Sequence, residues 1–360
     1  MTPNTKISTL FTQTDRKIVI DKLKNNPLLS VRFRSLKGEL KERMIDFLCG
    51  TATLPLTYDP FFKKLFNPDI YPERLENFIS SVLKKKVKIK CVLSQEDSQL
   101  QGATLLILDI IVELEDGSIA NVEIQKISYL FPAQRMSCYS ADLLLRQYSR
   151  VKGEKGKGFT YNDLKKVYTI IIFENSPAEL KKDYVKDAYI HFGHTTFDTG
   201  IHMDLLQDFY LIPLDVFQKS HYSKSIKERN ELNGRLALLS TDNVCKLDEL
   251  VSDYPYLESI IADIASYLDK PEEVIGMFSD ALRILDENTA RYMIELKDEE
   301  IAEKDKLLAE KDNQLAEKDN QLAEKDNQLA EKDDQLAEKD ALIAELMTQL
   351  KKQDYKVSNY

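Results

Sequence analysis

The segment 105–126, LLILDIIVELEDGSIANVEIQK, restricts the fold of this chain more than any other part of it. Two apolar runs flank an Asp-Gly pair, and apolar runs separated by such a turn signal are typical of a β-hairpin. Each run carries an acid where the pattern favours a hydrophobic residue, Asp109 in the first and Glu123 in the second. The sequence therefore predicts a hairpin with one carboxylate on each strand.

The length of the turn decides whether the two carboxylates share a face, because side chains alternate along a strand. A two-residue turn would place Asp109 opposite Ile124, on the face away from Glu123. A three-residue loop beginning at Glu115, with a left-handed glycine, would place Asp109 directly opposite Glu123. Carboxylates paired in this way destabilise a sheet unless a cation lies between them, and hard divalent metals bind such oxygen ligands. The sequence alone leaves both turns open.

The rest of the chain predicts an α/β core with helices before and after it. Residues 1–30 are polar and weakly patterned, which predicts a poorly ordered arm. Amphipathic spacing predicts helices at 36–48 and 72–83, and a further helix that begins at Pro132. Three segments predict additional strands: KKKVKIKCVL, VYTIIIF and FYLIPLDVF. From about residue 225 the pattern is helical, and the predicted segments are 1–49 (arm and helix), 50–220 (α/β domain), 221–296 (helical region), 297–350 (heptad helix) and 351–360 (tail).

A tandem heptad, LAEKDNQ, places a leucine at every seventh position: Leu308, Leu315, Leu322, Leu329 and Leu336. A sustained seven-residue period favours a long helix that pairs with another, which predicts a homo-oligomer formed through a coiled coil. Three and four residues after each leucine lie Lys and Asp, so half of the usual apolar seam is charged. A solvated single helix that arose by repeat expansion is the alternative.

Composition argues against several classes of protein. No apolar run approaches the roughly 18 residues of a membrane span, and the first residues lack the pattern of a signal peptide. Four scattered cysteines without metal or redox spacing indicate a reducing, cytoplasmic setting. The histidines of HFGH and His202 lack the partners of a zinc site, and no phosphate-binding P-loop occurs.

The acidic charge of the chain belongs to the heptad region. Residues 297–350 carry 17 acids and 8 lysines, whereas the remainder carries 43 acids and 42 lysines and arginines. The body is therefore close to neutral, so the net charge of -10 is no argument against a nucleic-acid partner.

Three segments occur in a specific order: TYDPFFKKLF, LDIIVELEDGSIANVEIQK and QRMSCYSADLLLRQYSR. With the spacing D-x(13)-E-x-Q, they resemble the PD-(D/E)XK nuclease superfamily and, more narrowly, the bacterial recombination-promoting nuclease and putative transposase family. The resemblance covers roughly residues 50–220 and implies a restriction-endonuclease-like mixed sheet flanked by helices. It also implies hydrolysis of DNA phosphodiester bonds, in which water attacks phosphorus in line and Mg²⁺ or Mn²⁺ stabilises the developing charge.

The resemblance assigns roles within the hairpin. Asp109 and Glu123 would be metal ligands, together with the main-chain carbonyl of Ile124. Gln125 stands where most of the superfamily has a catalytic lysine, and this family is similar in using E-x-Q. Because glutamine cannot become cationic, Gln125 would not supply the positive charge that the lysine supplies in most of the superfamily. Lys126 is adjacent but is expected to point to the opposite face of the strand.

Residues outside the hairpin complete the implied site. Asp59 would be an outer metal ligand, with the N-cap of a short helix beginning at Pro60 as the alternative. Lys63 or Arg135 would hold phosphate. Arg135 and Tyr139 match the family's Arg/Tyr helix, and the alternative is a solvated helix face. On the predicted helix they belong to a polar stripe that comprises Arg135, Tyr139, Asp142, Arg146 and Arg150.

Two lysine clusters are candidates for contact with the DNA backbone, and ordinary solubilising charge is the alternative. They are Lys84, Lys85, Lys86, Lys88 and Lys90 in the first cluster and Lys152, Lys155 and Lys157 in the second. The sequence as a whole predicts a Mg²⁺-dependent DNA endonuclease. The alternative is a catalytically degenerate nuclease fold that acts as a DNA-binding or coiled-coil interaction module.

Overall fold

A computed structural model of the chain describes residues 6–93, 110–127, 133–182, 188–221 and 230–357. The chain forms two compact units, Met1–Thr289 and Ala290–Tyr360. The first unit contains the sheet and most of the helices, and the second contains the heptad repeat.

The first unit begins with helices that belong to its core. They are α1 (Arg16–Asn25), α2 (Pro27–Ser35), α3 (Gly38–Leu48), α4 (Asp59–Leu65) and α5 (Pro72–Leu83). The Asp15 carboxylate accepts hydrogen bonds from the first amides of α1, and Asn26 caps α2 in the same way. Phe11, Leu23 and Phe33 are each 3 % exposed. The predicted poorly ordered arm is therefore wrong for the described residues from 6 onward, whereas α3 and α5 confirm the helices predicted at 36–48 and 72–83.

The described residues form six strands in the order β1-β2-β3-β4-β6-β5. These strands are β1 (Ile89–Val92), β2 (Ile110–Leu114), β3 (Ile119–Ile127), β4 (Val167–Asn175), β5 (His191–His194) and β6 (Gln207–Pro213). The pairs β3-β4 and β4-β6 are parallel, and the remaining pairs are antiparallel. The first seven residues of β4 are buried, as expected for a central strand covered on both faces. The predicted mixed α/β sheet is confirmed.

Two details of the sheet differ from the prediction. The HFGH segment, which is not among the predicted strands, forms the edge strand β5. The strand predicted over FYLIPLDVF ends at Pro213, and α7 (Leu214–His221) begins directly after it. Proline has no amide hydrogen for a sheet ladder, which is consistent with the strand ending there.

Helices cover both faces of the sheet. On one face α6 (Ala133–Lys155) packs through Tyr139 and Leu143 against Ile111 and Ile171. On the other face the apolar side of α4 joins Val122 in the larger core. That core also includes α8 (Glu231–Ser240), α9 (Leu247–Asp253), α10 (Glu258–Ser266) and the start of α11 (Pro271–Val357).

The second unit is the long continuation of α11. The heptad leucines from Leu308 to Leu336 are each 57–58 % exposed. The repeat therefore forms a regular helix whose leucine stripe lies in solvent. Among the described helices of the whole chain, none is both long enough and apolar enough to span a membrane.

Candidate active site

The turn of the central hairpin is a three-residue loop. The amide of Leu114 donates to the carbonyl of Ser118 at 2.8 Å, and the amide of Gly117 donates to the carbonyl of Leu114 at 2.9 Å. Gly117 has φ +84°, a left-handed conformation that glycine adopts without strain. The loop therefore comprises residues 115–117, and the two-residue turn that the sequence left open does not occur.

This turn fixes the register of β2 and β3. Ile110 lies opposite Val122, and Ile111 lies opposite Asn121. Glu123 is the next residue after Asn121 on the same face, because side chains alternate along β3. Asp109, the second carboxylate of the predicted pair, lies outside the described residues.

The Glu123 side chain is buried at the interface between the sheet and α6. It is 3 % exposed, and the Nε2 of Gln125 donates to its Oε1 at 2.7 Å. In the parallel pair of β3 and β4, Glu123 of β3 lies beside Ile171 of β4, which belongs to the apolar cluster that packs under α6. Burying a carboxylate costs several kcal/mol unless other groups compensate for lost hydration. A carboxylate kept in such a place is more typical of a functional residue than of a structural one.

The polar stripe of α6 faces the sheet rather than solvent. Tyr139 is fully buried, and the Nε of Arg135 donates to its hydroxyl at 2.7 Å. One turn further on, Asp142 is 5 % exposed and lies 2.7 Å from Arg146. The alternative of a solvated Arg/Tyr helix face is therefore wrong for Tyr139. Helix α6 instead brings the Arg135–Tyr139 pair to the sheet face that carries Glu123.

Asp59 and Lys63 lie on the opposite side of the sheet. They are one turn apart on α4, and the Lys63 Nζ donates to the Asp59 Oδ2 at 2.9 Å. The helix begins at Asp59 itself, with Tyr58 as its N-cap residue, so the predicted N-cap role of Asp59 is wrong. Helix α4 packs into the core with Val122, whose side chain points away from Glu123.

Lys126 also points to that opposite face, as its position in the strand predicted. Its Nζ lies 3.5 Å from the centroid of the Tyr58 ring and 3.7 Å from the Glu174 Oε1. Burial removes water from the ammonium group and lowers the pKa of Lys126. Lys126 therefore does not supply a cation on the Glu123 side of β3.

The family model for the PD-(D/E)XK nuclease family transposase matches residues 56–292, more than half of the chain. The chain belongs to this family. Membership implies a nuclease- or transposase-related function and a DNA substrate, and nucleases of the PD-(D/E)XK type generally use divalent metals. No curated protein and no solved structure matches the chain significantly.

Several lysines predicted to contact DNA have intramolecular partners in this PD-(D/E)XK protein. Lys85 donates to the Tyr168 hydroxyl at 2.8 Å, Lys88 lies 2.7 Å from Glu76, and Lys90 lies 2.9 Å from Glu113. In the second cluster, Lys152 donates to the Tyr148 hydroxyl and Lys155 pairs with Asp163. Lys84, Lys86 and Lys157 are exposed. The positive charge available to a phosphate backbone is therefore smaller than the number of lysines suggests.

The sequence analysis missed a buried acid on the same hairpin face. Glu113 is 8 % exposed and pairs with Lys90 at 2.9 Å and with Arg150 at 3.0 Å. Glu113 lies two residues after Ile111 in the same strand, so the alternation of side chains could have placed it on the buried face of the hairpin. Asn121 and Thr169, adjacent across β3 and β4, are also fully buried on this face.

Among the described residues, no three side chains of the types His, Cys, Asp and Glu lie together as a metal cluster. Asp109 belongs to the segment outside them. Of the three metal ligands that the family resemblance implies, Glu123 and the carbonyl of Ile124 therefore belong to the described residues.

Proposed function

We propose that this PD-(D/E)XK family member is a DNA endonuclease that depends on Mg²⁺ or Mn²⁺. Asp109, Glu123 and the main-chain carbonyl of Ile124 would hold the metal. The three-residue turn carries the proposal, because the register that it sets at Ile110 and Val122 would pair position 109 with position 123 if it continued by one residue. The ligands would all be oxygen atoms, as hard divalent cations prefer.

The buried environment of Glu123 fits a metal ligand. A carboxylate shielded from water interacts more strongly with a cation than an exposed one does. The Gln125 amide donates to the Glu123 Oε1, which restricts the orientation of the carboxylate. A bound divalent metal would neutralise charge on the phosphate and help to generate the nucleophile from water.

Arg135 supplies the positive charge that Gln125 cannot. It is half-buried on the Glu123 side of the sheet, and its Nε is held by the Tyr139 hydroxyl. A guanidinium has five N–H donors in a planar fork and carries a positive charge, which is the chemistry that a phosphate oxygen needs. We assign Arg135 to phosphate binding and Tyr139 to positioning Arg135. Lys63, paired with Asp59 on the other face, fits contact with flanking DNA better than chemistry.

Cleavage of supercoiled plasmid tests the proposed activity. Purified protein with Mg²⁺ is expected to convert supercoiled plasmid to the nicked form, and EDTA is expected to stop the reaction. The variants Asp109→Ala and Glu123→Ala are expected to lose this activity while retaining the circular dichroism spectrum of the wild type. A wild-type protein that nicks no better than these variants would support a degenerate fold that only binds DNA or partners.

We further propose that this protein forms a homodimer through the heptad helix. The leucines from Leu308 to Leu336 repeat every seven residues and are more than half exposed, so a second copy would bury them. Lys and Asp at the companion seam positions would keep the association weak.

Light scattering after gel filtration tests the pairing. Full-length protein is expected to have a dimer's mass at tens of micromolar. A chain ending at Leu296 and the full-length double variant Leu315→Lys/Leu322→Lys are expected to have monomer masses. A monomeric wild type, or a double variant that remains dimeric, would exclude pairing through the leucine stripe.

A further inference from the structure

A group of three aromatic rings, two half-buried and one exposed, lies at the C-terminal end of α6. Tyr148 of the helix, and Phe159 and Tyr161 of the following loop, contact one another, and we call them the aromatic platform. The rings of Tyr148 and Tyr161 are nearly parallel, at an interplanar angle of 12° with centroids 6.1 Å apart. Phe159 meets both edge-on, with centroids 5.5 Å away in each case.

The platform does not contribute to the hydrophobic core. Tyr161 is 73 % exposed, and none of the three rings belongs to either apolar cluster of the described residues. Single exposed hydrophobic residues are common on protein surfaces, but three rings in mutual contact outside both apolar clusters are not explained by core packing. A partly exposed aromatic group of this kind is typical of a binding surface.

The chain around the platform is basic. Residues 148–166 contain six lysines and arginines and two acids, Glu154 and Asp163. Lys155 neutralises Asp163 at 2.5 Å, and Lys152 lies over the Tyr148 ring with its Nζ 5.0 Å from the centroid. Lys157 is exposed. The segment that carries the rings therefore has a net positive charge, which favours an anionic partner that also has flat faces.

Hydrogen bonds hold the platform in place. The Asp163 carboxylate accepts from the Thr160 amide at 2.8 Å, which closes the turn that carries Tyr161. Gln147, adjacent to Tyr148, accepts from the amide of Lys165 at 2.8 Å and donates to the carbonyl of Gly117 at 3.2 Å. A surface ordered before binding loses less entropy when it takes up a ligand.

We propose that the aromatic platform binds unpaired nucleotides of a DNA substrate by stacking their bases. This inference rests on the proposed function, because it takes DNA as the ligand. Bases in a duplex already stack on one another, whereas unpaired bases have free faces for aromatic side chains, and lysines attract their phosphates. Nine residues of α6 separate Tyr139 from Tyr148, which is about 14 Å along the helix axis. At the rise of a stacked strand, about 3.4 Å per nucleotide, this distance corresponds to four nucleotides at most, so the platform would select DNA with a short single-stranded flank.

The absence of tryptophan from the chain provides a direct probe. A Tyr161→Trp variant, titrated with a 12-nucleotide oligothymidylate in EDTA, is expected to lose at least half of its fluorescence as bases stack on the indole. A blunt duplex of equal length is expected to quench it far less. Ile18→Trp, on α1 and 50 % exposed, is the matched control and is expected to keep its fluorescence. Equal quenching by duplex and single strand would overturn the proposal, because the surface would not select unpaired bases. No quenching by either would also overturn it and would leave a protein partner for this surface.

Affinity in EDTA separates this inference from the proposed activity. Tyr161→Ser is expected to bind the oligothymidylate about tenfold more weakly than the wild type, whereas Tyr161→Phe keeps the ring and is expected to bind normally. Equal affinities of the two variants would overturn the inference even if the plasmid is nicked. If the protein nicks no plasmid but binds the oligothymidylate through Tyr161, the result would support this inference and contradict the proposed nuclease activity.

Discussion

Glu123→Gln is expected to lower the Mg²⁺-dependent nicking rate by about 10²–10³-fold, and the protein is expected to remain folded. The substitution keeps the shape of the side chain but removes the negative charge proposed to hold the metal. The neutral amide is cheaper to bury than a carboxylate that is 3 % exposed, and its oxygen can still accept the hydrogen bond from Gln125. Nicking rates at several Mg²⁺ concentrations, with thermal melting of the same preparations, measure both effects.

Glu113→Gln is the matched control for this experiment. Glu113 is also a buried acid on the same face of the hairpin, but Lys90 and Arg150 occupy its carboxylate oxygens. Neutralising it leaves Arg150 without its partner and is expected to cost about 1–2 kcal/mol of the free energy of unfolding. Nicking at a temperature well below the melting transition is expected to stay near the wild-type rate. If both variants lost nicking to the same extent, general damage to the hairpin would explain the loss, and Glu123 would have no special role.

The hairpin shows what sequence can predict about the site. The alternation of apolar residues predicts the two strands and the position of a carboxylate on each. The two loop lengths require different backbone conformations at Glu115 and Gly117. The turn sequence LEDG permits both of them. The hydrogen bond from Leu114 to Ser118 resolves the choice. The loop length, on which the proposed pairing of the carboxylates depends, therefore required the structure of the turn.

The polar stripe of α6 shows a different limit. Helical periodicity correctly predicts which residues share a face, but it does not say whether that face meets water. Asp142 and Arg146 are buried as a pair, and Tyr139 is buried with its hydroxyl bonded to Arg135. Such pairing makes polar residues compatible with burial. The sequence shows the polar residues of this face but not their mutual contacts. A solvated face therefore remained an alternative until the structure showed the pairs.

The N-terminal segment was mispredicted because its apolar residues are sparse. Helices α1 and α2 each bury a narrow stripe, such as Val19 and Leu23 on α1, within an otherwise polar sequence. Asp15 and Asn26 were visible as capping residues before helical stretches, and giving them weight would have predicted both helices. Tertiary packing supplies the remaining stability, and a local pattern does not report it.

Gly50→Ala is expected to lower the free energy of unfolding by about 2–5 kcal/mol. Gly50 follows the C-terminus of α3 with φ +72°, where an L-residue costs about 1–2 kcal/mol. A Cβ there would also lie 2.5 Å from the Thr12 carbonyl oxygen, and such overpacking costs about 1–3 kcal/mol more. Urea unfolding followed by near-ultraviolet circular dichroism of the tyrosines measures the loss.

Gly38→Ala separates the two contributions to this cost. Gly38 has φ +57°, but an added Cβ there would meet no atom within 4 Å. It should therefore show the backbone cost alone, about 1–2 kcal/mol. The difference between the variants measures how firmly the segment around Thr12 packs on α3, where the Thr14 amide donates to the Cys49 carbonyl at 3.0 Å. Equal losses in the two variants would mean that this segment gives way to the methyl group, and that the N-terminal residues are not a fixed part of the first unit.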